Sequence, residues 1–149
     1  MKLFLLAAAG LVALSGADLG AFKSVYLLPM SNGLDQYLAA QLTSGGIMQV
    51  VTDPKKADAV FTDKLGESFE DRMNEIYGHV KKDENQQPSM QPVTRGHGAI
   101  FLVDPKSRAV IWSIFEPIKG TMPDQLNRTA DKIAKRLEKD RKAKAAPSQ

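Results

Sequence analysis

The sequence predicts an α/β protein with a single mixed β-sheet of about five strands, on which the first and last helices pack. Three observations support this fold class. A short helical segment separates the first two strand-like runs, which predicts a crossover and parallel pairing. Two apolar runs, residues 99–103 and 109–115, flank a polar turn that begins with Asp104-Pro105 and predict a β-hairpin. Both runs carry apolar side chains on both sides, so the hairpin should lie in the middle of the sheet with cover on each face.

The first residues have the pattern of a signal peptide. Lys2 is a positive start, residues 3–14 form an apolar run, and Ser15-Gly16-Ala17 provides small residues for cleavage after Ala17. The apolar run is shorter than the roughly 20 residues of a bilayer-spanning helix. The chain has no cysteine, which excludes disulfides and a lipid anchor on that residue. We therefore expect removal of residues 1–17 and export to the periplasm, or alternatively secretion; a retained anchor or a buried helix is the alternative.

The composition is that of an ordinary globular protein, with 43% hydrophobic and 25% charged residues in 149. A mature chain of about 130 residues can bury roughly two thirds of its unfolded surface. We expect one domain over residues 18–140 and a disordered basic tail over residues 141–149. The formal charge of +3 falls to about +2 without Lys2, which is too close to neutral to indicate nucleic-acid binding.

The first half of the chain contains three strand-like runs, at residues 24–30, 47–52 and 59–63. Between the first two, apolar residues at helical spacing predict a helix that ends at Gly45-Gly46. Asn32 is its expected N-cap, with Asp35 three residues further on. Asp53-Pro54 breaks the second run and predicts a single helical turn before the third.

The second half contains two predicted helices on either side of an irregular segment and the hairpin. An apolar stripe predicts a short helix over residues 67–77. Residues 78–97 are polar, lack periodicity and contain two prolines, so we expect a mobile loop. Thr121 as N-cap, with Asp124 completing a capping box, predicts the start of the last helix. The apolar stripe of this helix consists of Leu126, Ala130, Ile133 and Leu137.

Few residues are suited to catalysis. His79 and His97 lie in or beside the predicted loop, where a catalytic base is poorly held. With no cysteine and no H-x-x-x-H spacing, neither a metal site nor a cofactor is predicted. Paired aspartates at strand ends could serve a glycosidase, but bonds to nearby backbone N–H groups are the favoured interpretation. These aspartates are Asp53, Asp58, Asp63 and Asp104. Ser31-Asn32-Gly33 at a helix start could hold an anion, which we consider the weaker interpretation.

Two further features could serve binding. Trp112 is interpreted as a core residue, with an exposed binding hot spot as the alternative. Four cations lie opposite the apolar stripe of the last helix: Lys132, Lys135, Arg136 and Lys139. They form the candidate partner-binding surface, for an acidic protein or an anionic membrane. The alternative is an ordinary solvated helix face.

Several short motifs resemble those of a group of bacterial envelope proteins. They are Val25-Tyr26-Leu27-Leu28-Pro29, Gln49-Val50-Val51-Thr52-Asp53, Lys56-Ala57-Asp58-Ala59-Val60-Phe61-Thr62, Phe101-Leu102-Val103-Asp104 and Val110-Ile111-Trp112-Ser113, followed by an amphipathic helix. Over most of residues 24–140 the chain is similar to curli-secretion lipoproteins, penicillin-binding-protein activator lipoproteins and the amino-terminal domain of TolB-type propeller proteins. The resemblance implies a non-enzymatic envelope component that binds other proteins. Two departures are Lys106-Ser107-Arg108 in place of the usual Thr-Gly turn and the absence of an anchoring cysteine.

The sequence therefore predicts a periplasmic adaptor or assembly factor of the cell envelope. Its expected partners are envelope proteins, without nucleic acid and without a lipid anchor. Two alternatives stay open. One is a hydrolase or small-molecule-binding protein that uses residues 78–97 as a lid over strand ends. The other is a peripheral membrane protein that binds through its basic last helix.

Overall fold

The computed structural model describes residues 19–78 and 98–145. The predicted signal peptide, His79, His97 and almost all of the predicted loop lie outside the described residues. The strands are β1 (Ser24–Leu27), β2 (Gln49–Val50), β3 (Ala59–Thr62), β4 (Ala99–Val103) and β5 (Val110–Phe115). The helices are α1 (Leu34–Ser44), α2 (Glu67–Tyr77) and α3 (Pro123–Ala145), with 3-10 turns at Leu19–Ala21, Ser31–Gly33 and Pro54–Lys56. The predicted order of elements is confirmed.

The strands form one mixed sheet in the order β2-β1-β3-β4-β5. β1 lies between β2 and β3 and runs parallel to both, with Val25 opposite Val50 and Ala59. β4 pairs antiparallel with β3 on one side and with β5 on the other. The predicted α/β class with a mixed five-stranded sheet is confirmed.

Helices pack on both faces of the sheet. On one face, α1 and α3 bury a core that includes Phe61 and Trp112, whose rings meet edge to face at 6.3 Å between centroids. On the other face, α2 contributes Phe69 and Met73, which pack against Val60 and its neighbours. Packing of the first and last helices on the sheet and burial of Trp112 are confirmed.

The position of the hairpin corrects the sequence prediction. β4 is an interior strand, but β5 is the last strand of the sheet and does not lie in its middle. The apolar residues of β5 are divided between its two sides: Trp112 and Ile114 contact the core under α3, whereas Val110 and Phe115 are 45% and 63% exposed. α2 has only 11 residues, and its apolar side chains reach the neighbourhood of β1, β3 and β4. Within residues 19–78 and 98–145, no helix therefore covers the side of β5 that carries Val110 and Phe115.

The helix starts also differ from the prediction. Asn32 does not cap α1 through its side chain; it adopts a left-handed backbone with φ of 59°, a conformation that asparagine tolerates better than most residues. Asp35 reaches back instead and accepts a bond from the N–H of Met30 at 3.0 Å. At the start of α3, the side-chain oxygen of Gln125 accepts from the N–H of Met122 at 3.3 Å, the role that the sequence assigned to Asp124. Gly45-Gly46 ends α1 as predicted.

The end of α3 lies beyond the predicted boundary. The helix continues to Ala145, so the expected disorder is wrong for residues 141–145. This segment consists of Lys, Arg and Ala, which are strong helix formers. Lys142 pairs with Glu138 one turn earlier at 2.7 Å, and the guanidinium of Arg141 donates to the backbone oxygen of Ile47. Residues 146–149 lie outside the described residues.

The turn of the hairpin is fastened to α2 by one side chain. Arg108 has a left-handed backbone with φ of 63°, and its side chain is only 8% exposed. The guanidinium donates to the Glu70 carboxylate at 3.2 Å, the Asn74 side chain at 3.3 Å and the backbone oxygen of Gly78 at 3.0 Å. Arg108 therefore joins the tip of the hairpin to α2 along its length, from Glu70 in the first turn to Gly78 at the end.

Candidate interaction surface

The strand-end aspartates are bound to backbone N–H groups, which confirms their interpretation as turn residues. Asp58 Oδ2 accepts from the N–H groups of Lys23 at 2.9 Å and Ser24 at 3.1 Å. These donors, Lys23 first, hold the pKa of Asp58 below its ordinary value. The other three each accept one backbone bond: Asp53 from Lys55, Asp63 from Ser31 and Asp104 from Lys106. Because Asp58 and Asp63 lie at opposite ends of β3, they do not form a carboxylate pair.

The segment Ser31-Asn32-Gly33 is occupied by groups of the chain itself. The N–H of Ser31 donates to the Asp63 carboxylate at 2.8 Å, and the N–H of Gly33 donates to the carbonyl of Met30 at 3.2 Å. A free anion at this position would meet the carboxylate of Asp63 rather than an unpaired donor. The interpretation as an anion site is therefore wrong for the segment as it is folded here.

The four predicted partner-binding cations lie on α3 with different surroundings. Three of them form ion pairs within the chain: Lys132 with Glu116 at 3.4 Å, Lys135 with Asp131 at 2.8 Å and Arg136 with Asp140 at 3.2 Å. All three cationic side chains are more than half exposed, at 57%, 72% and 59%. Lys139 is exposed as well and acts on the nearby Asp140 carboxylate. Such exposed pairs contribute little to stability, so these cations remain able to exchange partners.

β5 presents an open edge next to these cations. In the described part of the chain, no strand pairs with its outer side. The N–H of Glu116 donates to the Gly98 carbonyl at 2.9 Å, which makes these two residues a bonded pair across β4 and β5. Since backbone groups alternate in direction along an antiparallel strand, those of Ser113 and Phe115 point away from β4. The edge therefore offers two N–H and two C=O groups in a row.

The two sides of this edge differ in chemistry. Phe115 lies opposite Ala99, and Val110 lies opposite Val103, so both side chains are on the side of the sheet that α2 covers. They are large apolar groups in contact with water. Trp112 points the other way, toward α3, and a register shift between Leu102 and Val103 marks a bulge before it. The regular part of the edge therefore begins at Trp112.

Ion pairs and one shared carboxylate bring the α3 cations to the same edge. Lys132 contacts Glu116, the residue directly after β5. Asp140 Oδ2 accepts from the indole N–H of Trp112 at 2.9 Å and from Arg136 Nε at 3.2 Å. The indole N–H, followed by Arg136, lowers the pKa of Asp140 from its ordinary value, so this carboxylate stays charged at neutral pH. We call this combined surface the β5 edge: the outward backbone of Ser113 and Phe115, with Lys132 and Arg136 on the α3 side.

Other surfaces offer less. A groove of about 560 Å³ lies beside β2 and includes Lys23, Gln49 and Arg141, and a second of about 280 Å³ lies by Asp63, Ser68 and Arg72. Both are open to solvent. Among the residues that the structure describes, no three acidic or histidine side chains converge as metal ligands, and no helix has the length and apolarity to cross a membrane.

Sequence reasoning identified half of this surface. It selected Lys132 and Arg136 from their place opposite the apolar stripe of α3, but it did not select Ser113 or Phe115. The order of the strands did contain a hint, because an open sheet leaves one strand at each edge and the hairpin supplies the last two strands of the sequence. The residues of β5 alone do not show this, since a buried strand would have the same apolar pattern.

Comparison of the chain with models of protein families, with curated proteins and with solved structures found no match. The resemblance to envelope proteins therefore stays a prediction that depends on the short motifs.

Proposed function

We propose that this protein is an exported adaptor or assembly factor of the bacterial cell envelope that acts by binding other proteins and catalyses no reaction. Export is supported by the signal-peptide pattern of residues 1–17. An envelope role is supported by the motifs between residues 24 and 140.

The observation that carries the binding role is the open β5 edge. Natural sheets commonly shield an edge with charged residues, proline or a very short strand. β5 has six residues, none of them charged or proline, and Phe115 is 63% exposed on it. The bulge before Trp112 shields only the first residues of the strand. An open apolar edge of this kind is typical of a site at which a partner adds a strand.

Action without turnover is supported by the state of the polar residues. The aspartates that could have formed a paired acid and base are bound to backbone N–H groups, as Asp58 is to Lys23 and Ser24. A carboxylate held in this way acts as a structural acceptor and is a poor proton donor near neutral pH.

Site-specific photo-crosslinking in the cells that encode the protein would test the proposal. A photoreactive side chain would replace Phe115 on β5 in one variant and the exposed Asp71 on α2 in a control variant. We expect the full chain in the periplasmic fraction, with a discrete heavier adduct from position 115 that contains an envelope protein. A cytoplasmic location, or purified protein that turns over an envelope substrate, would contradict the proposal.

A further inference from the structure

The sheet has two outer strands, and they are not equivalent. β2 has two residues, and Arg141 of α3 lies beside it, bonded to Ile47 just before the strand. The regular part of β5 runs from Trp112 through Glu116 and directs the backbone groups of Ser113 and Phe115 outward. Of these two edges, only β5 has the length for a ladder with several bonds.

A second copy of this chain is a poor occupant for the β5 edge. Antiparallel pairing of two such edges would place α3 of both copies on the same face of a continuous sheet. Lys132 and Arg136 of one copy would then lie beside those of the other, and like charges at a contact repel. A stable dimer also requires roughly 20–30 residues from each side, whereas the regular edge supplies about five.

The charges and the apolar side chains together define a better occupant. A strand added to β5 would alternate its side chains between the α3 face and the α2 face. On the α3 face they would meet Lys132 and Arg136, whose present partners are Glu116 and Asp140, with side chains that are 23% and 29% exposed. On the α2 face they would meet the exposed ring of Phe115. Alternating acidic and apolar residues satisfy both faces.

From this arrangement we propose that the β5 edge binds an extended acidic segment of a partner protein by strand addition. The outward N–H and C=O groups of Ser113 and Phe115 bond its backbone. Lys132 and Arg136 pair with carboxylates at every second residue, and Phe115 packs against the apolar residues between them. This inference rests on the proposed function, since it gives the adaptor its class of partner.

A synthetic peptide tests the proposal without knowledge of the natural partner. The probe is an eight-residue peptide of alternating valine and glutamate with blocked ends, added to the ¹⁵N-labelled full chain. We expect the amides of Ser113 and Phe115 to shift and to become at least fivefold more protected from hydrogen exchange. The amides of Ile114 and Glu116 already face β4 and should keep their protection. An alternating valine and lysine peptide should bind about tenfold more weakly, because its charges oppose those of α3.

Variants of the chain separate the backbone contribution from that of the charges. Ser113→Pro removes an outward N–H without touching a bond to β4, so affinity should fall about tenfold, whereas Ser113→Val should retain it. Arg136→Gln should weaken binding about threefold at low salt. Lys142→Gln, which removes an exposed, ion-paired cation further along α3, should leave binding unchanged. If Ser113→Pro does not fold, the peptide methylated on alternate backbone nitrogens replaces it as the test, because it cannot complete a ladder.

Each outcome either supports or overturns the inference. Four results would overturn it. They are equal binding of the two peptides, undiminished binding of the methylated peptide, shifts that map to the groove beside β2, and no binding at millimolar peptide. A dimer in sedimentation that Ser113→Pro abolishes would assign the edge to a second copy and also overturn it. The two proposals fail separately. Crosslinks from position 71 but not from position 115 would leave the adaptor role standing and remove only this site, whereas a cytoplasmic location would remove the adaptor role.

Discussion

Arg108 gives the sharpest test of how the hairpin is held. Its backbone is left-handed, with φ of 63°, a conformation that glycine adopts freely and other residues adopt at a cost of about 1 kcal/mol. Its guanidinium donates to Glu70, Asn74 and the carbonyls of Gly78 and Pro105. The side chain thus offsets an unfavourable backbone conformation with four hydrogen bonds. Replacement by alanine and by glycine separates these two effects.

The expected magnitudes follow from these contacts. Four hydrogen bonds at a net value of about 1 kcal/mol each are opposed by about 2 kcal/mol of side-chain entropy, which is recovered when the arginine is removed. Arg108→Ala keeps the strained backbone and should therefore lower the free energy of unfolding by about 2 kcal/mol. Arg108→Gly also relieves about 1 kcal/mol of backbone strain and should lower it by about 1 kcal/mol. In Tm, the difference between the two variants corresponds to about 4 °C.

Urea denaturation of the purified variants, followed by circular dichroism, would measure both values. Lys106→Ala in the same turn is the control, because this exposed side chain should contribute less than about 0.5 kcal/mol. An alanine variant as stable as the original protein would show that the four bonds give no net stabilisation. Equal losses for the glycine and alanine variants would show that the backbone of residue 108 is not strained.

Three further changes are expected to have measurable effects. Asp140→Asn removes a carboxylate with a lowered pKa and should destabilise the protein at pH 7. The difference in stability from the original protein should shrink as the pH falls below about 4, because protonation of Asp140 removes the stability that its charged form provides. Gly98→Ala should lower the free energy of unfolding by about 3 kcal/mol in urea denaturation, since φ is 130° and a Cβ would lie 2.5 Å from a backbone oxygen. Gly33→Ala is the control and should lower it by about 1 kcal/mol, because φ is 72° but the space is open. Burial, followed by the nearby Tyr26 and Asp53, raises the pKa of Tyr77 to about 12, so the stability of the protein should fall as the pH rises from about 10. Tyr77→Phe should lose less stability than the original protein between pH 9 and 11.

Local sequence determined the features that depend on neighbouring residues. The turn after Asp53 formed as expected, because proline suits the first position of a helical turn and the aspartate accepts from the N–H of Lys55. Burial of Trp112 followed from its size and its apolar neighbours. The order of strands and helices followed from the spacing of apolar residues, which is a local property too.

Contacts between distant residues could not be predicted in the same way. Arg108 and Glu70 are 38 positions apart, and Trp112 and Asp140 are 28 positions apart. The sequence contains many acidic residues, any of which could have been the partner of Arg108 or of Trp112. The choice depends on where α2 and α3 come to lie on the sheet, which only the assembled core determines.

The shared carboxylate of Asp140 connects the stability of the sheet to the charge at its edge. One oxygen accepts from the buried indole of Trp112 and from the exposed Arg136, so the interaction that anchors α3 on β5 also places a cation beside the open strand. A change at Asp140 would therefore alter both the packing and the surface charge, and its effect on binding could not be attributed to either. Arg136→Gln leaves the bond to the indole in place. For this reason the arginine, and not the carboxylate, is the position at which the charge of the β5 edge can be tested by itself.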